Sequence, residues 1–144
     1  MTTPNKERLS KLLKRHGRSV DAREKVKAWK LAGFVASPLA HDRHEELIEK
    51  LQTVATHRER KSVPLSQALA EVAAGSDVVA VMGWSIEVDS GVLLTRRALN
   101  QSETFWRKTY PDGFFVCNQH LTRILIIDFD ESSYLIEEFW FSGQ

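Results

Sequence analysis

The chain has 144 residues, 42% hydrophobic and 27% charged, with a formal net charge of +1. A chain of this length buries about two-thirds of its unfolded surface without metal or disulfide staples, and its composition excludes a disordered or fibrous class. No apolar run approaches the roughly 20 residues that span a bilayer, the opening "MTTPNKERLSKLLKRHGRSV" lacks a signal-like apolar stretch, and the single Cys117 makes no internal disulfide; a cytoplasmic location and no membrane partner are therefore expected.

Charge is distributed unevenly. Residues 1–62 carry 15 Lys and Arg against 8 Asp and Glu, whereas residues 63–144 carry 5 against 11. Most of the basic excess lies in residues 6–30, with 10 bases and 3 acids.

In chain order, Leu9, Leu12, Leu13 and His16 fall at i, i+3, i+4 and i+7, which predicts a helix that Gly17 ends. Ala22, Val26, Trp29 and Gly33 keep a similar stripe and predict a second helix. Ser37-Pro38 opens a third, carrying Leu47, Ile48, Leu51, Val54 and Ala55. A fourth carries Leu65, Ala68, Leu69, Val72 and Ala73, with Ser62 and Pro64 at its start and Gly75 at its end.

After Gly75 the pattern changes to β-branched and aromatic runs separated by turn residues. "DVVAVMGWSIEV" and "VLLTRRAL" flank Asp89-Ser90-Gly91 as one hairpin, with Gly83 a candidate bulge. "TFWRKTY" and "FFVCNQ" flank Pro111-Asp112-Gly113 as another, with a short helix over residues 100–109 as the alternative to its first strand. "TRILIIDFDE" returns as "SYLIEEFW". In the last hairpin Ile124 and Ile126 face one way and Leu125, Ile127 and Phe129 the other, so both faces are apolar and the segment is central. The second face needs a cover, either the fourth helix folding back or a second subunit in a homodimer. The expected architecture is α+β: one domain over 1–144, with four N-terminal helices in 1–75 packed on an antiparallel meander sheet of five or six strands in 76–144.

Asp128 and Asp130 superficially resemble the Asp-x-Asp pair of haloacid dehalogenase-type phosphotransferases. Only 14 residues follow Asp130, and the upstream chain lacks the strand-helix alternation of a parallel sheet, so a hairpin with acids near its tip is the expected structure. His41 and His44 share a helix face, but two imidazoles do not make a metal site without further ligands, and an exposed helix face is expected there instead. Cys117 and His120 are three apart on an extended segment, hence on opposite faces, which suits a buried inert thiol better than a nucleophile and its base. The carboxylate pair Glu87 and Asp89 assigns no acid or base by spacing alone, and the scattered glycines form no phosphate-binding loop. No cofactor, metal ligand or catalytic residue is assigned, and the balance leans away from an enzyme.

The basic segment carries the main functional expectation. Arg8, Lys11, Arg15 and Arg18 form one stripe, and Arg23, Lys27 and Lys30 a second. Cation rows of this kind suit a phosphate backbone and predict a nucleic-acid-associated regulator or accessory factor. A bland reading is that the basic half lies against the acidic half and partly cancels its field. "VPLSQALAEVAAGSDVV" matches a helix-turn-helix only weakly, because a strand follows its helix. The alternative function is a protein-binding inhibitor or immunity-type antidote, acting through Asp128, Asp130, Glu131, Tyr134, Glu137 and Glu138.

Overall fold

The computed structural model describes residues 3–52, 55–61, 63–85, 89–120, 122–129 and 134–141. Within these it describes the side chains of Arg8, Leu9, Leu13 and Ile136 and those of 20–49, 63–85, 89–120 and 122–129. Helices and strands interleave. In order they are α1 (Thr3–Leu31), β1 (Ser37–Pro38), α2 (His41–Gln52), β2 (Ala55–Lys61), α3 (Leu65–Val72), β3 (Val78–Gly83) and β4 (Gly91–Thr95). A 3-10 turn (Arg96–Leu99), α4 (Glu103–Thr109), β5 (Gly113–Cys117), β6 (Arg123–Phe129) and β7 (Tyr134–Phe141) complete the described elements.

The first two expected helices are one. Gly17 does not end α1, which runs for 29 residues. A glycine in a helix interior costs only about 1 kcal/mol relative to alanine, and the surrounding Leu, Lys, Arg, Ala and Glu are good helix formers. Pro4 is tolerated because it falls in the first turn, where its missing N–H has no intrahelical partner to lose. The helix stops at Gly33, whose φ of 95° is left-handed. There the Gly33 N–H donates to the Lys30 carbonyl at 3.0 Å and the Phe34 N–H to the Trp29 carbonyl at 2.9 Å. This is a Schellman closure, and the Phe34 ring packs edge-on against Trp29 to complete it.

Seven strands form one antiparallel sheet in the order β1-β4-β3-β5-β6-β7-β2. The C-terminal part supplies five of them, and β5 to β7 follow one another as a meander. The expected simple succession fails at β5. It pairs with β3 rather than β4, because the 3-10 turn and α4 carry the chain back across the sheet. The sheet's two outer strands come from the N-terminal half. Ser37-Pro38 does not open a helix but pairs with Val92 and Leu93 as a two-residue edge, where proline's missing donor costs no ladder bond on the outer side. Residues 55–61, expected as the end of a helix and a loop, form β2 beside β7.

The "TFWRKTY" strand is likewise a helix, α4, as the alternative reading allows. Ser102 Oγ accepts from the Phe105 N–H at 3.2 Å, Glu103 occupies the first turn and Arg107 and Lys108 the last, all consistent with the helix dipole. Trp106 and Tyr110, four apart, are both buried. The Pro111-Asp112-Gly113 turn forms as expected, with the Gly113 N–H donating to the Tyr110 carbonyl at 3.0 Å, but it joins a helix to β5. Gly113 has φ of 124°, and a Cβ there would collide with the Ile127 carbonyl oxygen.

Both faces of the sheet are apolar, in the alternation the sequence implies. One carries Val79, Val81, Phe114, Val116, Leu125 and Ile127, packed with Trp29 of α1, Leu69 of α3 and Trp106 of α4. The other carries Ala80, Met82, Phe115, Cys117 and Ile124, packed with Leu47 of α2. Over this cluster the cover within the chain comes from Leu47 of α2 rather than from α3.

Candidate nucleic-acid interface

All seven cations proposed from the sequence lie on α1, and its continuity fixes how they relate. Arg8, Arg23, Lys27 and Lys30 are exposed; the side chains of Lys11, Arg15 and Arg18 lie outside the described set. At 3.6 residues per turn, the mean phase of positions 8, 11, 15 and 18 matches that of Ala22, Val26 and Trp29 within roughly 10°, whereas positions 23, 27 and 30 are offset by about 100°. The two stripes therefore do not merge into one flat face. They form two rows along a rod about 43 Å long, from a rise of about 1.5 Å per residue.

The second half of α1 is fixed to the sheet by polar as well as apolar contacts. Asp21 Oδ2 accepts from the Ser90 N–H at 2.9 Å and from Ser90 Oγ at 2.6 Å, across 69 positions of sequence. Lys25 Nζ is 3.3 Å from Asp21 Oδ1 and lies 5.1 Å from the centre of the Tyr110 ring. Burial pushes the Asp21 carboxyl upward, but the Ser90 hydrogen bonds and Lys25 outweigh it and hold the group below the ordinary carboxylate value. Trp29 Nε1 donates to Tyr110 Oη at 3.1 Å, and burial drives the Tyr110 phenol well above its usual range. Neither the Asp21–Ser90 pair nor the Trp29–Tyr110 pair has a local sequence signal, because each joins residues far apart in the chain.

The remaining sequence candidates divide clearly. His44 is buried, contrary to the exposed helix face expected for it, while His41 Nε2 is 3.8 Å from Glu45 Oε1. Among the described residues no three His, Cys, Asp or Glu side chains come together as a metal site. Cys117 is buried on the α2 side of the sheet and His120 is exposed. Asp89 Oδ2 accepts from the Ser85 N–H at 3.0 Å; Glu87 lies outside the described residues.

Of the acidic alternative set, Asp130 and Glu131 and the side chains of Tyr134, Glu137 and Glu138 lie outside the described set. Asp128 is half-buried opposite Gly113 and Leu135. The register sets Glu137 opposite Arg60 and Glu138 opposite Glu59, so the acidic strand β7 is flanked by the basic-rich β2 rather than forming an open edge. An open hollow of about 410 Å³ lies between the end of α1 and α4, lined by Glu24, Lys25, Ala28, Leu31, Phe105 and Lys108. A further hollow of about 310 Å³ lies between α3 and the 3-10 turn beside Arg96 and Asn100. Neither of these gathers a nucleophile with a base. No family model, curated protein or solved structure matches the chain.

Proposed function

We propose that the protein is a nucleic-acid-binding accessory or regulatory factor acting inside the cell, with α1 as its contact element. The observation that carries this reading is the pair of cation rows on one continuous helix, with Arg8, Arg23, Lys27 and Lys30 exposed. Rows about a third of a turn apart suit a helix lying along a groove, where phosphates flank it on two sides, better than a helix pressed against one strand. Recognition would rest on phosphate contacts and carry little sequence preference, because the described cations are Lys and Arg without an accompanying row of amide side chains for base edges.

The test is titration of labelled duplex DNA and duplex RNA at about 50 and 200 mM salt, where counterion release makes phosphate binding steeply salt-dependent. Micromolar binding at the lower salt is expected. The quadruple variant Arg8→Gln/Arg23→Gln/Lys27→Gln/Lys30→Gln should weaken it and flatten the salt slope by roughly one unit for each phosphate-binding cation removed. Absence of micromolar binding to either duplex at low salt refutes the reading.

A further inference from the structure

The large apolar side chains that the fold leaves outside are concentrated on one line. Six are exposed among the described residues: Leu9, Leu13, Val20, Leu31, Val35 and Leu93. Four of these belong to α1, at 57% (Leu9), 63% (Leu13), 42% (Val20) and 85% (Leu31) exposure. Their spacings of 4, 7 and 11 are all helical repeats, so at about 100° per residue the four fall within roughly 40° of one another. Val35, just beyond the helix end, is exposed as well.

This ridge lies opposite the side of α1 that packs on the sheet. Ala22 and Trp29 are buried on that inner side, roughly 170° away in phase from the ridge. The apolar stripe of the first half and that of the second half are thus on opposite sides of one rod. The stripe containing Leu9 and Leu13 therefore does not continue into the core stripe.

The charges beside the ridge decide what it fits. Lys27 lies within the line, between Val20 and Leu31 in sequence, and the exposed Arg23 and Lys30 flank it; the exposed Glu24 is the acid on its other flank. A second copy of the same helix would bring like charges together along the seam, which opposes self-pairing. A nucleic acid would engage the cations and leave the leucines in water. From residue 21 onward the helix is backed by the sheet, so over those 11 residues, about 16 Å, a complementary surface must lie along the outer side rather than wrap the rod. Apolar depth and negative charge on a flat surface together describe the headgroup region of an anionic bilayer.

We propose that α1 lies along anionic membrane surfaces, inserting Leu9, Leu13, Val20 and Leu31 at the acyl boundary while Arg23, Lys27 and Lys30 meet lipid phosphates and carboxylates. No described helix is long and apolar enough to cross a membrane, and none is needed for a helix that lies in the interface. The expectation that a membrane is not a partner rests on the lack of a spanning run, which does not bear on surface docking.

The experiment is co-sedimentation of the full chain with phosphatidylcholine vesicles, with and without roughly 30% phosphatidylserine, at about 150 mM salt. Binding to the anionic vesicles and at least about tenfold weaker binding to the neutral ones is expected. Leu9→Ser/Leu13→Ser/Leu31→Ser should reduce partition by about tenfold or more, and Arg23→Gln/Lys27→Gln/Lys30→Gln by a comparable factor. All replaced side chains are exposed, and far-UV circular dichroism checks that each variant is folded. Failure of the wild type to bind anionic vesicles overturns the proposal, as does a leucine variant that partitions like wild type. Duplex binding without vesicle binding would overturn it and leave the nucleic-acid reading standing; vesicle binding without duplex binding would do the reverse.

Discussion

Between residues 21 and 31, α1 is held on three sides of its chemistry: Trp29 lies fully buried among Phe34, Phe105 and Trp106, Asp21 clamps Ser90, and Lys25 bridges Asp21 and the Tyr110 ring. Between residues 3 and 20 the same helix leaves Arg8, Leu9, Leu13 and Val20 exposed. One backbone conformation therefore serves two purposes, an anchor whose stability comes from packing and an extension whose helicity comes from local propensity and continuity with the anchor. Isolated helices of this length are marginal in water, so the extension depends on the anchor for nucleation. The comparison teaches that secondary structure and burial are separable along a single element, and that the apolar stripe alone does not tell which half faces the core.

The largest effect should come from the anchor. Trp29→Ala removes a buried ring and strands the Tyr110 hydroxyl, and denaturant unfolding should show a loss of about 3–5 kcal/mol. A loss below about 1 kcal/mol would mean that the anchor is not where the stability lies. Asp21→Ala should cost about 1–3 kcal/mol, because it leaves the buried Ser90 hydroxyl and amide without their acceptor.

The same carboxylate sets a pH dependence. Its folded pKa lies below the ordinary value, so its stabilisation is fully present above the unfolded pKa of about 3.9 and is lost as pH falls toward the lower folded value. Thermal melts of wild type and Asp21→Asn should therefore differ at neutral pH and begin to draw together only as pH falls below about 4, and a difference that stays constant down to about pH 2 would contradict the assignment.

Gly17→Ala sharpens the continuity of the two halves. In a helix interior the alanine should favour the extension by about 0.5–1 kcal/mol, read as slower amide exchange over residues 3–18 and greater helicity. Reduced helicity would instead place Gly17 at a helix end in a left-handed conformation. The smallest effect belongs to the outer ridge: Leu9→Ser and Leu13→Ser should shift unfolding free energy by no more than about 0.5 kcal/mol, since neither side chain is buried on folding.

Where the sequence pattern reflects burial it is legible. The alternation of Ile124 and Ile126 against Leu125, Ile127 and Phe129 assigns both sheet faces correctly, and Pro64 and Gly75 bracket α3. Strand β2 is invisible because "ATHRERK" is mostly polar and owes its conformation to pairing with β7, a partner far along the chain. Helix α4 reads first as a strand because its aromatic content has β propensity, which the Ser102 cap and the burial of Trp106 override. At the candidate interface, the identity of the cations is plain but their arrangement is not. Reading Gly17 as a stop splits the rod in two, and only a continuous helix shows that the rows are out of phase and that Leu9 and Leu13 point away from the core.

The sheet order carries a consequence for biosynthesis. Strand β2 emerges from the ribosome with no neighbour to pair with until β7 follows, 73 positions later, a wait on the order of 4–15 s at ordinary translation rates. During that interval its unsatisfied backbone would be an invitation to foreign strands if its side chains were apolar. Arg58, Glu59, Arg60 and Lys61 make it a poor template for them, so the polarity that hides this strand also guards the nascent polypeptide while its proper neighbour is being made.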